Sequence, residues 1–206
     1  IKGFIGQEAH HGRCHDDLND EIEKLGIPMT MISNSMSARV HMLKNRFGPE
    51  RQLALTVAME HFTASLAEFI LENPEVLNQA PKTFRQMMLW HSVEEIEHKA
   101  VAFDVYRQQV NNEWMRRRVM VVAMMSLFSR ITMFQIRILW QTKHMPSISE
   151  WLGATRFFWG KKGILRANFQ GLKKFFQRDF HPNDIDQSAL IDGWEERFPE
   201  VAAQQV

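Results

Sequence analysis

The chain has 206 residues, of which 45% are hydrophobic, and a formal net charge of +1. This composition excludes an intrinsically disordered chain. The single cysteine, Cys14, excludes an intrachain disulfide and favours a reducing compartment. The small net charge conceals two regions of opposite sign. Residues 113–178 carry 13 basic and two acidic residues, a charge of +11, whereas the rest of the chain carries 12 basic and 22 acidic residues, a charge of −10.

Helical periodicity dominates the chain, and no sustained polar–apolar alternation predicts a strand. In the first half of the chain, glycine and proline breakers delimit helices predicted over 1–25, 31–46, 50–72 and 82–110. The second half predicts helices over 113–143, 148–160 and 163–178, and an acidic tail with a short helix near 187–197. We therefore predict an all-α fold, with a bundle over 1–112 and a basic, aromatic-rich helical extension over 113–206 packed on it.

The first predicted helix carries three candidate metal ligands on one face. At about 100° per residue, His11 lies about 60° and His15 about 20° from Glu8 around the helix axis. A Glu-x-x-His pair supplies one carboxylate and one neutral imidazole to a metal ion. We predict Glu8 and His11 as ligands, and we keep His15 as either an additional ligand or a residue that orients one.

The helix predicted over 82–110 repeats this arrangement. Glu95 lies about 40° and His98 about 20° from His91, so the three residues share one face. Glu95 and His98 form the second Glu-x-x-His pair and are predicted ligands, with Glu94 as the alternative to Glu95. Two interpretations of His91 remain open: a further imidazole ligand, or a donor that orients a ligand carboxylate.

Between these helices, Glu60 stands in a largely apolar helix beside the small residues Thr63 and Ala64. A buried carboxylate without a partner is costly, so Glu60 is also a predicted ligand. Two Glu-x-x-His pairs with single glutamates from two other helices are the pattern of bundles that hold two iron or manganese ions. Three such helices are present, and we expect the fourth carboxylate upstream of Ile1. The adjacent His61 points about 100° away and is expected to pack or to orient a ligand.

The alternative to a metal site is that each pair is an ordinary exposed helix pair. A single Glu-x-x-His is common on exposed helices, but two of them, each with a further histidine on the same face, favour a metal centre. Nitrogen and carboxylate oxygen ligands suit iron or manganese, with zinc as a further candidate. We predict two metal ions, with iron favoured.

At these positions the sequence resembles a bacterial family described as predicted metal-dependent hydrolases. The similar segments contain the predicted ligands and a motif near the carboxyl end, and they are Phe4–His11, Ala58–Ala64, Trp90–Ala100 and Asp179–Asp184. The resemblance extends over nearly the whole chain. It implies a ferritin-like bundle with a dinuclear metal site, and ligand roles for Glu8, His11, Glu60, Glu95 and His98. The first ligand helix of that pattern has no counterpart here.

Two enzymatic functions remain open. The first is an oxidase or oxygenase that activates O₂ at two irons and acts on a hydrophobic or amine small molecule. The Met, Phe, Leu and Trp side chains expected around the site favour it, and the segment His91–His98 is similar to that of di-iron arylamine N-oxygenases. The alternative is metal-assisted hydrolysis of an ester or a phosphate, as the family description states.

The basic extension combines the run Arg116–Arg118 with lysines and aromatic residues over 116–178. Two interpretations of this region remain open: contact with an anionic membrane, and packing within the chain or in a homodimer. Because the region contains no base-reading motif, we do not expect it to bind nucleic acid. An uninterrupted apolar stretch of about ten residues is shorter than a transmembrane helix requires. We expect a cytoplasmic protein, located at the inner face of the membrane if the extension binds lipid.

Overall fold

A computed structural model describes residues 2–143, 145–161 and 163–199, and within these ranges the chain is helical and contains no strand. This confirms the predicted all-α class. The helices are α1 Lys2–Lys24, α2 Met29–Arg46, α3 Pro49–Glu72, α4 Lys82–His98, α5 Val101–Gln109, α6 Glu113–Thr142, α7 Ile148–Trp159, α8 Ile164–Phe175, α9 Ser188–Ile191 and α10 Trp194–Arg197. Short 3₁₀ turns cover Pro74–Leu77 and Pro182–Asp184.

The prediction of one continuous helix over 82–110 is wrong. The segment is interrupted at Lys99 and Ala100, which separate α4 from α5. Both residues keep right-handed helical dihedral angles, so the interruption is a kink. A tertiary contact coincides with it: the Lys99 Nζ donates hydrogen bonds of 2.6 Å to the Ile185 carbonyl and 2.7 Å to Gln187 Oε1. Neither glycine nor proline marks this position in the sequence.

The helix α3 lies at the centre of the fold. It is apolar on most of its circumference, as expected of a helix that packs on several sides, and it contacts α4, α5, α6 and α8. Its amino-terminal half, including Val57 and Phe62, shares one apolar cluster with α5, α6 and Phe175. Its carboxyl-terminal half shares a second cluster with α4. The predicted extension therefore contributes to the same core as the predicted bundle.

Two helices, α3 and α6, are long and apolar enough to cross a membrane by length and composition alone. The apolar window of α3 is 61% buried within the protein, which identifies α3 as a core helix. The corresponding window of α6 is only 11% buried. One face of α6 thus contributes to the core, and most of its apolar surface does not.

The Arg116 side chain joins α6 to the end of α8. It is completely buried, and its guanidinium lies 4.5 Å from the centre of the Phe175 ring. The guanidinium donates hydrogen bonds to the Phe175 carbonyl, to the Gln177 carbonyl at 2.9 Å and to the Glu113 carboxylate at 2.6 Å. Arginine can occupy this site because its fork of donors satisfies several acceptors while its plane stacks on an aromatic ring.

We expect Arg116→Ala to lower the free energy of unfolding by about 3 kcal/mol, because the mutation leaves the buried Phe175 carbonyl without its donor and removes one of the arginines that pair with Glu113. Arg116→Lys should recover little of this loss, since lysine lacks the planar fork. The matched control is Arg117→Ala on the same helix, which breaks a more exposed contact with Glu113 and should cost less than about 1 kcal/mol. Urea unfolding measures all three, and equal losses at Arg116 and Arg117 would contradict the assignment.

Candidate metal centre

The contact between α1 and α4 brings two carboxylates and two imidazoles together. One donor atom from each of Glu8, His11, Glu95 and His98 lies within 4.8 Å of the other three. His11, Glu95 and His98 are buried, whereas Glu8 is partly exposed. Each helix contributes one Glu-x-x-His pair, so the spacing of i and i+3 directs both side chains of a pair toward the facing helix.

The distances between these donors are those expected around a metal ion. Glu8 Oε1 lies 3.5 Å from His11 Nδ1 and 3.4 Å from His98 Nε2. His11 Nδ1 lies 4.0 Å from Glu95 Oε1. Ligands about 2.1 Å from a tetrahedral ion are about 3.4 Å apart, so the first two distances match the edges of such a polyhedron.

Three of these donor atoms have no hydrogen-bond partner in the described part of the chain. They are Glu8 Oε1, His11 Nδ1 and His98 Nε2, and all three are shielded from solvent. An unsatisfied buried polar atom costs about 1–3 kcal/mol, and native proteins contain few of them. Three that converge on one point fit a cation, which accepts the lone pairs of all three atoms at once.

Two further carboxylates lie behind the imidazoles. His98 Nδ1 is 3.0 Å from Glu60 Oε2, and His11 Nε2 contacts Glu94 Oε2. A ring nitrogen that donates its proton to a carboxylate leaves the lone pair on the other nitrogen. Glu60 and Glu94 therefore aim His98 Nε2 and His11 Nδ1 at the shared centre.

These positions differ from the simplest sequence expectation. Glu60, a predicted ligand, lies behind His98 and outside the group of four mutually close donors, and its ligand role stays a prediction. Glu94, the predicted alternative to Glu95, faces His11 instead. The 3.6-residue period correctly placed both on the inner side of their helices, but it does not say which partner each one meets.

Thr63 orients Glu95 in a way that sequence reasoning did not assign. Its hydroxyl donates to Glu95 Oε2, which leaves Glu95 Oε1 facing the centre. The sequence signal for this contact was present, since Thr63 lies three residues after Glu60 and shares its face of α3.

Two additional histidines adjoin the four donors. His91 Nε2 lies 3.3 Å from Glu95 Oε1, and the His91 ring is 4.3 Å from that of His11 and 5.0 Å from that of His15. Burial lowers the pKa of His91 to about 3 and also lowers the pKa of His15. Both imidazoles are therefore neutral near pH 7, the state in which a nitrogen can bind a metal. Their predicted roles as ligands or orienting residues stay predictions.

The electrostatics of the site favour a cation. Burial raises the pKa of Glu95 to about 7 against the hydrogen bond from Thr63, and the negative charge of Glu60 raises it further. The neighbouring His11 lowers the pKa of Glu8. Burial alone would lower the pKa of His11, but Glu8 and Glu94 outweigh it and raise that pKa. In the metal-free protein, the closely spaced carboxylates therefore favour protonation of Glu95 and His11. A bound divalent ion would supply the positive charge that these protons otherwise provide.

Aromatic rings close the site on two sides. The Trp90 ring lies 5.0 Å from that of His11, and the Phe4 ring lies 5.1 Å from that of His98. Sequence reasoning did not assign either residue. A usable signal existed for Trp90, which stands four residues before Glu94 and so shares its face of α4. Apolar walls lower the local dielectric constant and strengthen interactions with a bound ion.

His61 lies outside this site. Its Nε2 is 2.9 Å from the Gly171 carbonyl of α8, and its ring packs against Phe175 at 4.9 Å. The structure thus places it in the contact between α3 and α8. This agrees with the packing role that was one of its two expected roles.

The chain belongs to the family described as predicted metal-dependent hydrolases, whose family model matches residues 1–186. No curated protein and no solved structure matches the chain. The resemblance inferred from the motifs around Glu8, Glu60 and Glu95 is therefore confirmed at the level of the family. The relationship to ferritin-like di-iron proteins stays a prediction.

The pH dependence of stability provides a test of the buried histidine contact. Burial lowers the pKa of His61 to about 4, from 6.5 for an exposed imidazole. The folded protein then binds fewer protons than the unfolded chain between these values, so acid favours unfolding. We expect the free energy of unfolding to fall by about 2 kcal/mol because of His61 when the pH is lowered from about 7.5 to about 5.

His61→Gln retains an N–H donor for the Gly171 carbonyl and removes the titration. Urea unfolding of the metal-free protein at both pH values should show a smaller acid loss in this variant. His10→Gln, a change at an exposed histidine, should leave the wild-type loss unchanged. The same acid loss in His61→Gln as in the wild type would contradict the burial argument.

Proposed function

We propose that this member of the family binds a divalent metal ion between α1 and α4 and uses it to hydrolyse an ester or a phosphate ester. The proposed ligands are Glu8, His11, Glu95 and His98. The observation that carries the proposal is the convergence of three buried, unpaired donor atoms, Glu8 Oε1, His11 Nδ1 and His98 Nε2, on one point. The family description supports the reaction class.

The ligand set suits several metals. Two imidazole nitrogens and two carboxylate oxygens are compatible with zinc, manganese or iron. The sequence expectation of two ions, iron foremost, stays a prediction. Within the described residues, a single group of side chains meets the spacing required for an ion.

A bound ion supplies Lewis-acid polarisation of a carbonyl or phosphoryl oxygen and lowers the pKa of water. The chain contributes the geometry. Glu60 and Glu94 fix the imidazole tautomers, and Thr63 fixes Glu95. Glu8 is the most exposed of the four, with 40% of its side chain accessible, so substrate and water approach from its side. We assign the second oxygen of Glu8 the role of accepting a proton from water.

An O₂-dependent oxidase or oxygenase is the second candidate. The observation that favours it is His91, a neutral, partly buried imidazole with Nε2 at 3.3 Å from Glu95 Oε1 and with Nδ1 unpaired in the described part of the chain. Imidazole binds iron as well as zinc, so a third imidazole beside the site is compatible with a redox-active iron. The family description favours hydrolysis, which is why the oxygenase ranks second.

Metal binding is the first test. We expect the metal-free protein to bind Zn²⁺ or Mn²⁺ in isothermal titration calorimetry and to unfold at a higher temperature when the ion is present, because ligands that bind only the folded state stabilise it. His11→Ala should weaken binding at least about 100-fold by removing one ligand.

The matched control is His10→Ala, a change at an exposed neighbour on the same helix that should leave the affinity unchanged. Circular dichroism confirms that both variants are helical. Equal affinities of His11→Ala and the wild type would place the ion elsewhere and refute the proposed site.

Hydrolysis is the second test. We expect the zinc or manganese form to cleave p-nitrophenyl acetate or bis-p-nitrophenyl phosphate, and a chelator to abolish the activity. Glu94→Gln should lower kcat/KM about 10- to 100-fold, because the amide no longer accepts the proton of His11 as a carboxylate does. Glu97→Gln, a change at an exposed glutamate on the same helix, should have no effect.

The ferrous form distinguishes the two candidates. Two results together would favour the oxygenase over the hydrolase. The ferrous protein would consume O₂ and lose this activity in His91→Ala, and no metal form would cleave an ester or a phosphate. Cleavage that needs the metal and does not consume O₂ supports the hydrolase.

A further inference from the structure

Exposed large apolar side chains are concentrated in the second half of the chain. Of the 22 such side chains among the described residues, 16 lie between Val121 and Phe176. The helix α7 has no buried residue, although it includes Trp151 and Trp159. Monomeric soluble proteins rarely expose large contiguous apolar patches, so this concentration of exposed side chains points to a contact surface.

The apolar side chains of α6 form two separate faces. Met120, Ala123 and Met124 are buried against the core. On the other side, five apolar residues that are each at least 50% exposed lie within about 80° around the helix axis and extend about 27 Å along it. These residues form the outer stripe, which consists of Val122, Met125, Met133, Ile136 and Trp140.

Cations surround the outer stripe. Arg118 and Lys143 continue it at its two ends, and Arg137 lies beside it, at about 60° from Val122 around the axis. Between Trp114 and Arg178 the sequence contains a single acid, Glu150. Among the described residues, no ion pair joins a cation of 113–178 to an acid of 1–112; Arg116 and Arg117 instead pair with Glu113 of their own helix. Lys161, Arg166 and Lys174 share a cavity with the bundle acids Glu68 and Glu72. In the described part of the chain, no bundle acid forms an ion pair with the cations around the outer stripe, so their charge is available to an external partner.

We propose that α6, α7 and their basic residues form a docking surface for an anionic lipid bilayer. The outer stripe lies flat in the interface between headgroups and acyl chains, and the surrounding arginines and lysines contact lipid phosphates. Long basic side chains keep their charge at the headgroups while their methylene stems cover apolar surface. The exposed Trp140 of the outer stripe and Trp159 of α7 suit the same depth of the bilayer.

The position of α6 argues against a helix that crosses the membrane. A spanning helix is surrounded by lipid or by other membrane segments along its whole apolar length. In α6, the inward face that includes Met120 and Met124 is already covered by α3 and the core. Arg130 and Arg137 also interrupt the apolar sequence, and each is costly within the hydrocarbon layer. If the inward face of α6 packs on the protein and its outward face lies on the bilayer, the apolar residues of both faces are removed from water.

A second copy of the chain is a poorer occupant of this surface. A two-fold dimer places the same patch of both subunits in contact. Here that arrangement brings two regions of +11 charge together, and like charges across an interface oppose association. An anionic bilayer instead complements the charge and the apolar stripe together.

Vesicle sedimentation tests the proposal without reference to the metal site. We expect the full chain to sediment with vesicles of phosphatidylcholine containing about 30 mol% phosphatidylglycerol, to bind phosphatidylcholine alone weakly, and to be released when salt rises from about 0.1 M to about 1 M. The double variant Ile136→Asp/Trp140→Asp should lower the bound-to-free ratio at least about tenfold, because it places two charges in the outer stripe.

The matched control is Leu25→Asp/Met42→Asp, which adds the same charge at exposed apolar positions outside the basic region. It should bind like the wild type, and thermal unfolding verifies that both double variants are folded. The absence of sedimentation with anionic vesicles, or equal binding by the two double variants, would overturn the proposal.

Two further outcomes would also overturn it. The first is a concentration-dependent dimer without lipid that Ile136→Asp/Trp140→Asp abolishes, with no vesicle binding; it would assign the surface to a second copy. The second is a membrane-bound protein that resists high salt and alkaline carbonate and is released only by detergent; it would assign α6 to a spanning helix. Loss of metal binding in His11→Ala with unchanged vesicle binding separates this proposal from the proposed function.

Discussion

Buried carboxylate charge at the junction of α1, α3 and α4 is the constraint on which the arrangement of these helices depends. Glu95 has a pKa near 7 because burial opposes its ionisation. Two of its partners come from other helices: Thr63 of α3 donates to one oxygen, and His11 of α1 faces the other. Glu60 of α3 likewise meets His98 of α4. Because a buried charge is costly without such partners, the polar contacts fix the register of three helices against one another.

The helix α1 depends on this site to an unusual degree. His11 is the buried side chain of α1, and every other described side chain of that helix is at least partly exposed. The imidazole contacts Glu94 and packs against Trp90, both on α4. Apolar burial, which usually holds a helix in place, contributes little here. An ion bound to ligands from both helices would therefore secure α1 as well as supply chemistry, and this couples metal binding to folding.

Sequence reasoning recovered most of the helices, because glycine, proline and capping signals mark their ends and a 3.6-residue period marks their inner faces. It recovered the four converging donors for the same reason, since Glu-x-x-His spacing is a local property. It failed where the decisive contact was distant in sequence. The kink after His98 coincides with the bond of Lys99 to the loop at Ile185, and the position of Glu94 behind His11 follows from the packing of α1 on α4. Periodicity specifies a face of a helix, not the residue that meets it.

The helix α6 shows the same limit in another form. Its sequence is apolar on two sides, so hydropathy alone cannot distinguish a core helix, a membrane-spanning helix and an interfacial one. The packing separates them: Met120 and Met124 face α3, and Val122 and Met125 face outward. The net charge of +1 is then the sum of two parts with different partners. Acids of the bundle gather where a cation fits, and cations of the extension surround an apolar stripe that the protein leaves uncovered. The proposed metal ion would bring positive charge to the acidic bundle, and the proposed bilayer would bring negative charge to the basic extension. The near-neutral total therefore does not show that the two parts neutralise each other.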